Sequence, residues 1–241
     1  MIVLSIGTTH PWNVAGTGRD IAVGTALGAR VFTAIAAVSA QDGGGVRALA
    51  PVEPTAFEAQ LETLPWQAAG AVRVGALPSA SHVAAVEARL QARPDLLAVA
   101  DPVIRATLGG SIVSDEAAAA VGTGLSRLAS VILTPNLAEA AQLLDVPPPT
   151  RETMRDAAAA LVRRGPFAVL LKGGHLEGDP VDVLATHDSV EVFTEPRLVG
   201  QMRGTGCTLA MALACELARG VQLNEAVRSA RAFVRAQIAA R

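Results

Sequence analysis

The sequence contains few aromatic residues, no tyrosine and no strongly charged region. Phe, Trp and Tyr together make up 3% of the 241 residues, and the formal net charge is -2. No basic stripe interleaved with aromatic side chains is present, which argues against nucleic acid as the main partner. No apolar stretch is long enough to span a membrane, and the amino-terminal residues lack the basic segment of a secretion signal. We therefore expect a soluble, cytoplasmic protein.

Disulfides and familiar catalytic motifs are also missing. The two cysteines, Cys207 and Cys215, fall eight residues apart on one predicted helix, so about 12 Å of helix axis separates them and they cannot form a disulfide. The sequence shows no cluster spaced for metal binding, no Walker sequence and no nucleophile elbow. The four histidines are scattered, and only His175 lies near residues with candidate chemistry. A reducing compartment is the default setting for such a chain.

The sequence is rich in hydrophobic residues, which are grouped in predicted strands and helices. Hydrophobic residues make up 51% and charged residues 17%, enough for a sizeable core. Predicted strands and helices alternate, which is typical of a mostly parallel sheet with helices on both faces. We predict one α/β domain over residues 1–241. Its predicted strands are Ile2–Ile6, Val31–Ala40, Val72–Leu77, Leu96–Asp101, Val131–Thr134 and Ala168–Lys172, followed by an antiparallel hairpin of Val181–Thr186 and Val190–Thr194; its predicted helices are Gly18–Leu27, Glu53–Leu64, Ser81–Arg93, Ser114–Leu128, Leu137–Leu144, Arg151–Arg164 and two more that close the chain.

The most informative segment is Gly204-Thr205-Gly206-Cys207-Thr208, which leads into an apolar-periodic run. Two glycines allow a tight turn, and the helix that follows directs unpaired N–H groups and the positive end of its dipole at one place. Such a place suits an anion, and it would favour the thiolate of Cys207, a candidate base. A glycine turn before a core helix with an inert cysteine explains the segment equally well.

Lys172 is the only lysine among 20 basic residues. It ends the apolar run Phe167 to Leu171 and precedes Gly173-Gly174-His175, a pattern that predicts a buried strand followed by a glycine turn. Ligands of open α/β sheets lie at the carboxyl ends of strands, and a compact ammonium suits a polyphosphate. The alternative is a solvated lysine at a strand end.

Other polar side chains also follow predicted strands. Asp101 precedes a proline, which forces an extended backbone and presents the carboxylate. Asn136 and Glu139 share one face at a helix start, where they can serve Mg²⁺ directly or through water. A helix cap explains this pair better when it is considered alone. Near the amino end, Asp20 is predicted to begin a helix, and Gln41 ends a strand with both a donor and an acceptor for a heteroaromatic ring edge or for backbone.

Five of these segments, in this order, resemble the hydroxymethylpyrimidine and phosphomethylpyrimidine kinases of thiamin biosynthesis, which are ribokinase-like. The resemblance is best from Asp101 to Gly220. It rests on Ala40-Gln41, Asp101-Pro102-Val103-Ile104, Thr134-Pro135-Asn136-Leu137-Ala138-Glu139-Ala140, Leu171-Lys172-Gly173-Gly174-His175-Leu176 and Gly204-Thr205-Gly206-Cys207-Thr208-Leu209. It implies a three-layer fold with a mostly parallel central sheet, ATP and Mg²⁺ as cofactors, and a homodimer.

The resemblance also implies roles for individual residues. Cys207 takes the place of the general base, and the amides of residues 204–207, including Thr205 and Gly206, form an anion hole. Glu139 and Asn136 serve Mg²⁺, and Lys172 lies near the ATP phosphates together with Asp101, Asn136, Thr205 and Gly206. The expected substrate contacts are Asp20, Gln41, Gly16 and Ala76.

The sequence departs from the family pattern in three places. A Thr9-His10-Pro11-Trp12-Asn13-Val14 loop stands where the family has a serine-aspartate-proline before a glycine pair, so Trp12 can stack on a ring, block the pocket or pack. Gly200-Gln201-Met202-Arg203 replaces a polar entry to the anion hole, and Arg203 can contribute phosphate-binding charge or face solvent. The sequence stops at Arg241 without the family's glycine- and histidine-containing tail.

Together the residues and the resemblance predict an Mg-ATP-dependent kinase of hydroxymethylpyrimidine or of its monophosphate. A pyridoxal-type kinase is the nearest alternative substrate class. A non-catalytic pyrimidine-binding protein on the same fold is the alternative of a different kind. The presence of Cys207, Lys172 and Glu139 favours the enzyme, because a binder has no evident need for a base beside an anion hole.

Overall fold

A computed structural model describes residues 1–42, 45–103, 112–200 and 202–240 of the protein. Predictions that involve Gly43, Ile104, Gln201 and Arg241 lie outside the described residues. The described strands are β1 (Ile2–Thr9), β2 (Arg30–Asp42), β3 (Gly45–Pro51), β4 (Ala71–Val74), β5 (Ala98–Ala100), β6 (Val131–Leu133), β7 (Ala168–Lys172), β8 (Val181–Thr186) and β9 (Val190–Thr194). The described helices are α1 (Gly16–Ala26), α2 (Pro54–Thr63), α3 (Ala80–Gln91), α4 (Asp115–Thr123), α5 (Leu137–Leu144), α6 (Met154–Val162), α7 (Thr205–Ala218) and α8 (Leu223–Ala239).

The strands form one nine-stranded sheet in the order β3-β2-β1-β4-β5-β6-β7-β8-β9. The pairs from β2 to β7 are parallel, and the outer pairs β2–β3, β7–β8 and β8–β9 are antiparallel. The predicted α/β class, with a mostly parallel sheet, is confirmed. The carboxyl ends of the parallel strands therefore meet at one edge of the sheet.

Helices cover both faces because the inner strands are apolar on both sides. Ile132 packs with α1, α7 and α8, whereas its neighbours Val131 and Leu133 pack with α2 to α6. Successive side chains of a strand point to opposite faces, so each inner strand contributes to two cores. The result is the predicted arrangement of three layers.

Two element predictions need correction. β3 was not predicted; it pairs antiparallel with β2 at the sheet edge. The predicted helix Ser114–Leu128 is interrupted at Gly124, after which Leu125–Arg127 form a single 3-10 turn. A Cβ at Gly124 would lie 1.8 Å from a carboxylate oxygen of Glu87 in α3, so a larger residue there would require the Glu87 side chain to move.

Several boundaries also differ. α1 begins at Gly16 rather than Gly18, so Asp20 lies inside the helix instead of beginning it. α6 begins at Met154 rather than Arg151, and β4 ends at Val74 rather than Leu77. The bounds of β7, β8, β9 and α5 agree with the sequence prediction, and the β8–β9 hairpin is antiparallel as predicted.

Candidate active site

Polar side chains gather at the carboxyl edge of the central strands. Asp101 follows β5, and its amide donates to the carbonyl of Val74 at 2.9 Å. The hydroxyl of Thr134, which follows β6, donates to Asp101 Oδ1 at 3.3 Å. Lys172 ends β7, and its amide donates to the carbonyl of Pro135 at 2.8 Å. Adjacent strands thus place these side chains beside one another although they are far apart in sequence.

The amino end of α7 is open toward this cluster. Gly204 precedes the helix with a φ of 74° and provides no side-chain cap. The first intrahelical bond is from the Thr208 amide to the Gly204 carbonyl at 2.9 Å. Within the described part of the chain, the amides of residues 205–207 have no hydrogen-bond acceptor. The first turn of α7 therefore has open amides, which an anion hole would require.

Close contacts surround both glycines of this turn. A Cβ at Gly204 would lie 1.9 Å from the carbonyl oxygen of Val14, and the positive φ would strain any larger residue. A Cβ at Gly206 would lie 3.3 Å from Lys172 Nζ and 3.4 Å from Asp101 Oδ2. The open amides of α7 therefore lie directly beside the cation that ends β7.

Lys172 is not a freely solvated lysine. Its side chain is 15% exposed, and its Nζ donates to Asp101 Oδ1 at 2.7 Å. Burial raises the pKa of Asp101, but Lys172 and Arg73 outweigh burial and hold that pKa below its usual value. Burial lowers the pKa of Lys172, but Asp101 and Glu139 outweigh it and raise that pKa. Both groups are therefore charged at neutral pH.

Arg73, which no motif of the sequence indicated, lies inside β4 with its side chain 1% exposed. Its Nε lies 3.4 Å from Asp20 Oδ2, and its Nη2 lies 3.7 Å from Asp101 Oδ2. Asp20 is fully buried and accepts a hydrogen bond from Ser5 Oγ at 2.7 Å. A single charged residue within an otherwise apolar strand was the available signal, because a charge is rarely buried without partners.

Cys207 is half-buried in the first turn of α7. Burial raises its pKa, Arg73 and the amide of Gly16 lower it, and Asp101 and Asp20 raise it further; the net result is a pKa above the usual thiol value. Burial therefore outweighs the positive groups around this thiol.

Asn136 and Glu139 form a complete capping box at the start of α5. The Asn136 amide donates to Glu139 Oε2 at 2.7 Å, and the Glu139 amide donates to Asn136 Oδ1 at 2.9 Å. The cap interpretation is confirmed. Burial raises the pKa of Glu139 to about 7, although Lys172 acts in the opposite direction.

At this place the protein offers a magnesium ion one carboxylate rather than a full set of ligands. Glu139 Oε1 accepts no hydrogen bond from another described residue, so it remains available, whereas Asn136 Oδ1 is used by the cap. The described ranges contain no group of three or more His, Cys, Asp or Glu residues arranged for a metal. Because Mg²⁺ keeps several waters and takes few protein ligands, a single carboxylate beside bound phosphates fits this ion.

The four expected substrate residues lie in different surroundings. Gly16 opens α1 beside Cys207, and Asp20 lies one turn further along α1, against Arg73. Ala76 is buried just after β4. Gln41 is half-buried near the end of β2, where the hydroxyl of Ser39 donates to it at 3.4 Å. The structure thus brings Gly16 and Asp20 to the cysteine and leaves Gln41 in the β2–β3 hairpin.

The loop from Thr9 to Val14, which departs from the family pattern, contacts the anion-hole turn through Val14. Trp12 in this loop is 57% exposed, so it does not pack into the core. His10 is buried, and its Nε2 accepts from the Ala15 amide at 3.2 Å.

Arg203 is half-buried and donates to the carbonyl of Asp42 at 2.9 Å, which joins the anion-hole turn to β2. His175 is exposed.

Comparison with known proteins decides the family. The family model described as phosphomethylpyrimidine kinase matches residues 11–241. The chain belongs to this family. It is 38% identical to a hydroxymethylpyrimidine/phosphomethylpyrimidine kinase of Streptomyces coelicolor, over 99% of this chain and 89% of that protein. It is 35% identical to the Escherichia coli protein of the same name, over 98% of this chain and 90% of that protein.

Solved structures extend the likeness of this phosphomethylpyrimidine kinase family member to three dimensions. The phosphomethylpyrimidine kinase of Clostridium difficile matches with a TM-score of 0.85 and 26% identity, covering 99% of both chains. An ADP complex of Bacillus subtilis pyridoxal kinase matches with a TM-score of 0.89 and 27% identity, over 99% of this chain and 91% of that one. The fold is therefore that of ribokinase-like kinases, and the family is one of ATP-dependent phosphotransferases. Among the described helices, none has the length and apolar character needed to cross a membrane.

Proposed function

We propose that this protein transfers the γ-phosphoryl group of ATP to hydroxymethylpyrimidine, to its monophosphate, or to both, in thiamin biosynthesis or salvage. The observation that carries the proposal is the open amino end of α7, which places Cys207 and unpaired backbone amides beside Lys172. The names of the relatives support the substrate class. We further propose a cytoplasmic homodimer in which residues 1–241 form a single domain.

In this mechanism the anion hole positions the group that is transferred. The amides of Thr205, Gly206 and Cys207 donate to phosphoryl oxygens, which carry negative charge that the helix end favours. Lys172, held by Asp101, supplies a positive charge beside the same amides, and Asn136 contacts the nucleotide in this proposal. Phosphoryl transfer depends mainly on such positioning and charge neutralisation.

Cys207 is the proton acceptor in this proposal. The substrate hydroxyl oxygen bonds to the γ-phosphorus while the bond from that phosphorus to the β–γ bridging oxygen of ATP breaks, and ADP leaves. The hydroxyl proton passes to the Cys207 sulfur. The thiol must be deprotonated before it accepts this proton, so the cations that face it determine the pH range of the reaction.

We propose Glu139 as the protein ligand for Mg²⁺, with Asn136 holding its carboxylate in place through the capping box. A bound magnesium ion would neutralise phosphate charge during transfer. On the substrate side we propose that Gly16, Asp20, Gln41 and Ala76 form the pocket for the ring. Asp20 is fully buried, so it would act on the pocket through its contact with Arg73.

The deciding experiment is product analysis by mass spectrometry. Purified protein is incubated with Mg-ATP and, separately, with hydroxymethylpyrimidine, its monophosphate and pyridoxal, with Cys207→Ala in parallel. A phosphate ester on either pyrimidine that is absent with the variant supports the proposal and identifies the substrate.

Other results would overturn it. A new ester on pyridoxal alone would assign the protein to the pyridoxal-type kinases. Raised thermal stability with a pyrimidine but no phosphate transfer to any of the three compounds would indicate a binding protein. An ester that still forms at the wild-type rate with Cys207→Ala would remove the cysteine from the reaction.

A further inference from the structure

We propose that Arg197 is a positioning residue for nucleotide binding, because its side chain ties the loop that follows Lys172 to the connection that leads into the anion-hole turn. This inference rests on the proposed binding of ATP phosphates at the open end of α7. It adds a residue that none of the sequence motifs contains, since Arg197 lies between β9 and α7.

The loop from Gly173 to Pro180 joins β7 to β8 and has few backbone hydrogen bonds of its own. The two strands pair antiparallel as far as Lys172 and Asp182. Among the described residues, the Gly173 amide donates to the carbonyl of Val181 at 2.8 Å, and the Leu176 amide donates to the carbonyl of Gly173 at 3.0 Å. The later carbonyls of the loop therefore depend on donors from elsewhere in the chain.

Arg197 supplies donors to three of these carbonyls. Its Nε donates to the carbonyl of Gly178 at 2.7 Å, its Nη1 to that of Gly174 at 3.1 Å and its Nη2 to that of Leu176 at 2.5 Å. Its backbone amide donates to Asp179 Oδ1 at 3.0 Å. A planar guanidinium can serve several acceptors at once, so this one residue fixes the loop to the β9–α7 connection.

A second arginine holds the same loop through other acceptors. Nη2 of Arg151, which precedes α6, donates to the carbonyls of Glu177 and Asp179 at 2.8 Å each. The two arginine side chains therefore share the loop without sharing a carbonyl. Because Arg151 does not belong to the β9–α7 connection, mutation can separate order within the loop from the tie made by Arg197.

Both segments that Arg197 joins end at the candidate active site. The loop begins after Lys172, whose Nζ lies 3.3 Å from the position of a Cβ at Gly206, and the connection ends at Gly204, which precedes α7. The ammonium and the open amides need a fixed separation if they are to bind the phosphates of one nucleotide. A tie that exists before the ligand arrives reduces the ordering cost of binding. Arg197 is itself exposed, so its loss should affect binding more than stability.

The test is the affinity for ADP measured by isothermal titration calorimetry, which needs no phosphoryl transfer. Arg197→Met should raise the Kd for ADP about tenfold, because three side-chain hydrogen bonds are lost. In the kinase assay the KM for ATP should rise by a similar factor, while kcat and the KM for the pyrimidine change little. An unchanged Kd for ADP would overturn the proposal.

Opening of the loop is measured separately by limited proteolysis with a glutamate-specific protease. Glu177 is exposed within the loop, and its carbonyl belongs to the peptide bond that such a protease cuts. Arg197→Met should speed cleavage after Glu177, as identified by mass spectrometry of the fragments. Faster cleavage with an unchanged Kd for ADP would limit Arg197 to a structural role and reject its part in nucleotide binding.

Two further arginines serve as controls. Arg164 is also exposed and donates to the carbonyls of Leu143 and Leu144, but it precedes β7 and so lies at the opposite edge of the sheet. Arg164→Met should leave the Kd for ADP unchanged. Arg151→Met should speed cleavage after Glu177 but raise the Kd less than Arg197→Met does. An equal rise in Kd with either control would overturn the specific tie.

The conservative variant separates the tie from simple charge. Arg197→Lys keeps the positive charge but cannot donate to three carbonyls at once, so its Kd for ADP should lie close to that of Arg197→Met. Affinity equal to that of the wild type would show that charge alone acts on the phosphates, against the proposal. ADP binding is independent of turnover. A shifted Kd in a protein that transfers no phosphate would therefore uphold the role of Arg197 and reject only the proposed reaction.

Discussion

Two helices begin at the same edge of the sheet, and their first turns differ. α5 is closed by its own side chains, since Asn136 and Glu139 satisfy two of its amides. α7 begins after Gly204, which has no side chain, and its first amides are left without acceptors in the described part of the chain. Both helices carry the same partial positive charge at this end.

This difference between a capped and an open first turn indicates which helix end can bind a ligand. At α5 the protein itself supplies acceptors for the amides of Asn136 and Glu139, so fewer amides are left there for an anion. At α7 the acceptors must come from elsewhere, and Lys172 and Arg73 add positive charge beside the amides. A capped end contributes stability, whereas an open end leaves its hydrogen bonds to be completed by a bound group. The predictions below test this contrast.

The largest expected effect is on catalysis at α7. Cys207→Ala should lower kcat about 10²- to 10⁴-fold, the usual contribution of a positioned base. Its thermal stability should change little, because the side chain is only half-buried. Measurement of ADP release together with a melting curve checks both statements. Cys215→Ala is the matched control on the same helix: it is buried in the core, so it should lose stability and keep kcat.

The second effect is a pH dependence at α5. Burial raises the pKa of Glu139 from 4.5 to about 7, so between these values the folded state holds a proton that the unfolded state has released. Stability should therefore fall as pH rises from 4.5 to 7, by an amount on the order of 2–3 kcal/mol from this group. Urea unfolding at several pH values measures it. Glu139→Gln should abolish this part of the slope, and an unchanged slope would contradict the shift.

The third effect concerns the glycine that opens α7. Gly204→Ala should cost about 1–3 kcal/mol of unfolding free energy, because alanine at positive φ is strained and its Cβ meets Val14. Gly28→Ala is the control: its φ is also positive, at 75°, but nothing lies within 4 Å of an added Cβ. Equal losses in the two variants would show that the contact with the first loop adds nothing.

The smallest effect is loss of the α5 cap. Asn136→Ala should lower the unfolding free energy by about 1 kcal/mol, as expected for an N-cap. Ser114→Ala provides the comparison, because Ser114 caps α4 by accepting from the Ala117 amide at 3.1 Å. If only the Ser114 variant loses stability, the Asn136 side chain is not held by its cap and is free for a ligand.

The sequence allowed good predictions where local signals act. β7 and α5 have the predicted bounds because one is a continuous apolar run and the other begins with a capping pair. β3 was missed because it is an edge strand that ends in proline and pairs on only one side, so burial constrains its residues weakly.

The sequence alone was sufficient to predict the α/β class, the open end of α7, the single lysine at the end of a strand and the cap of α5, because each depends on neighbours within a few residues. The tertiary structure decided that Arg73 lies between Asp20 and Asp101 and that burial raises the pKa of the Cys207 thiol. Both outcomes depend on burial and on distances between charges on separate strands and helices. Electrostatic energy depends on those distances, and they exist only after the chain has folded.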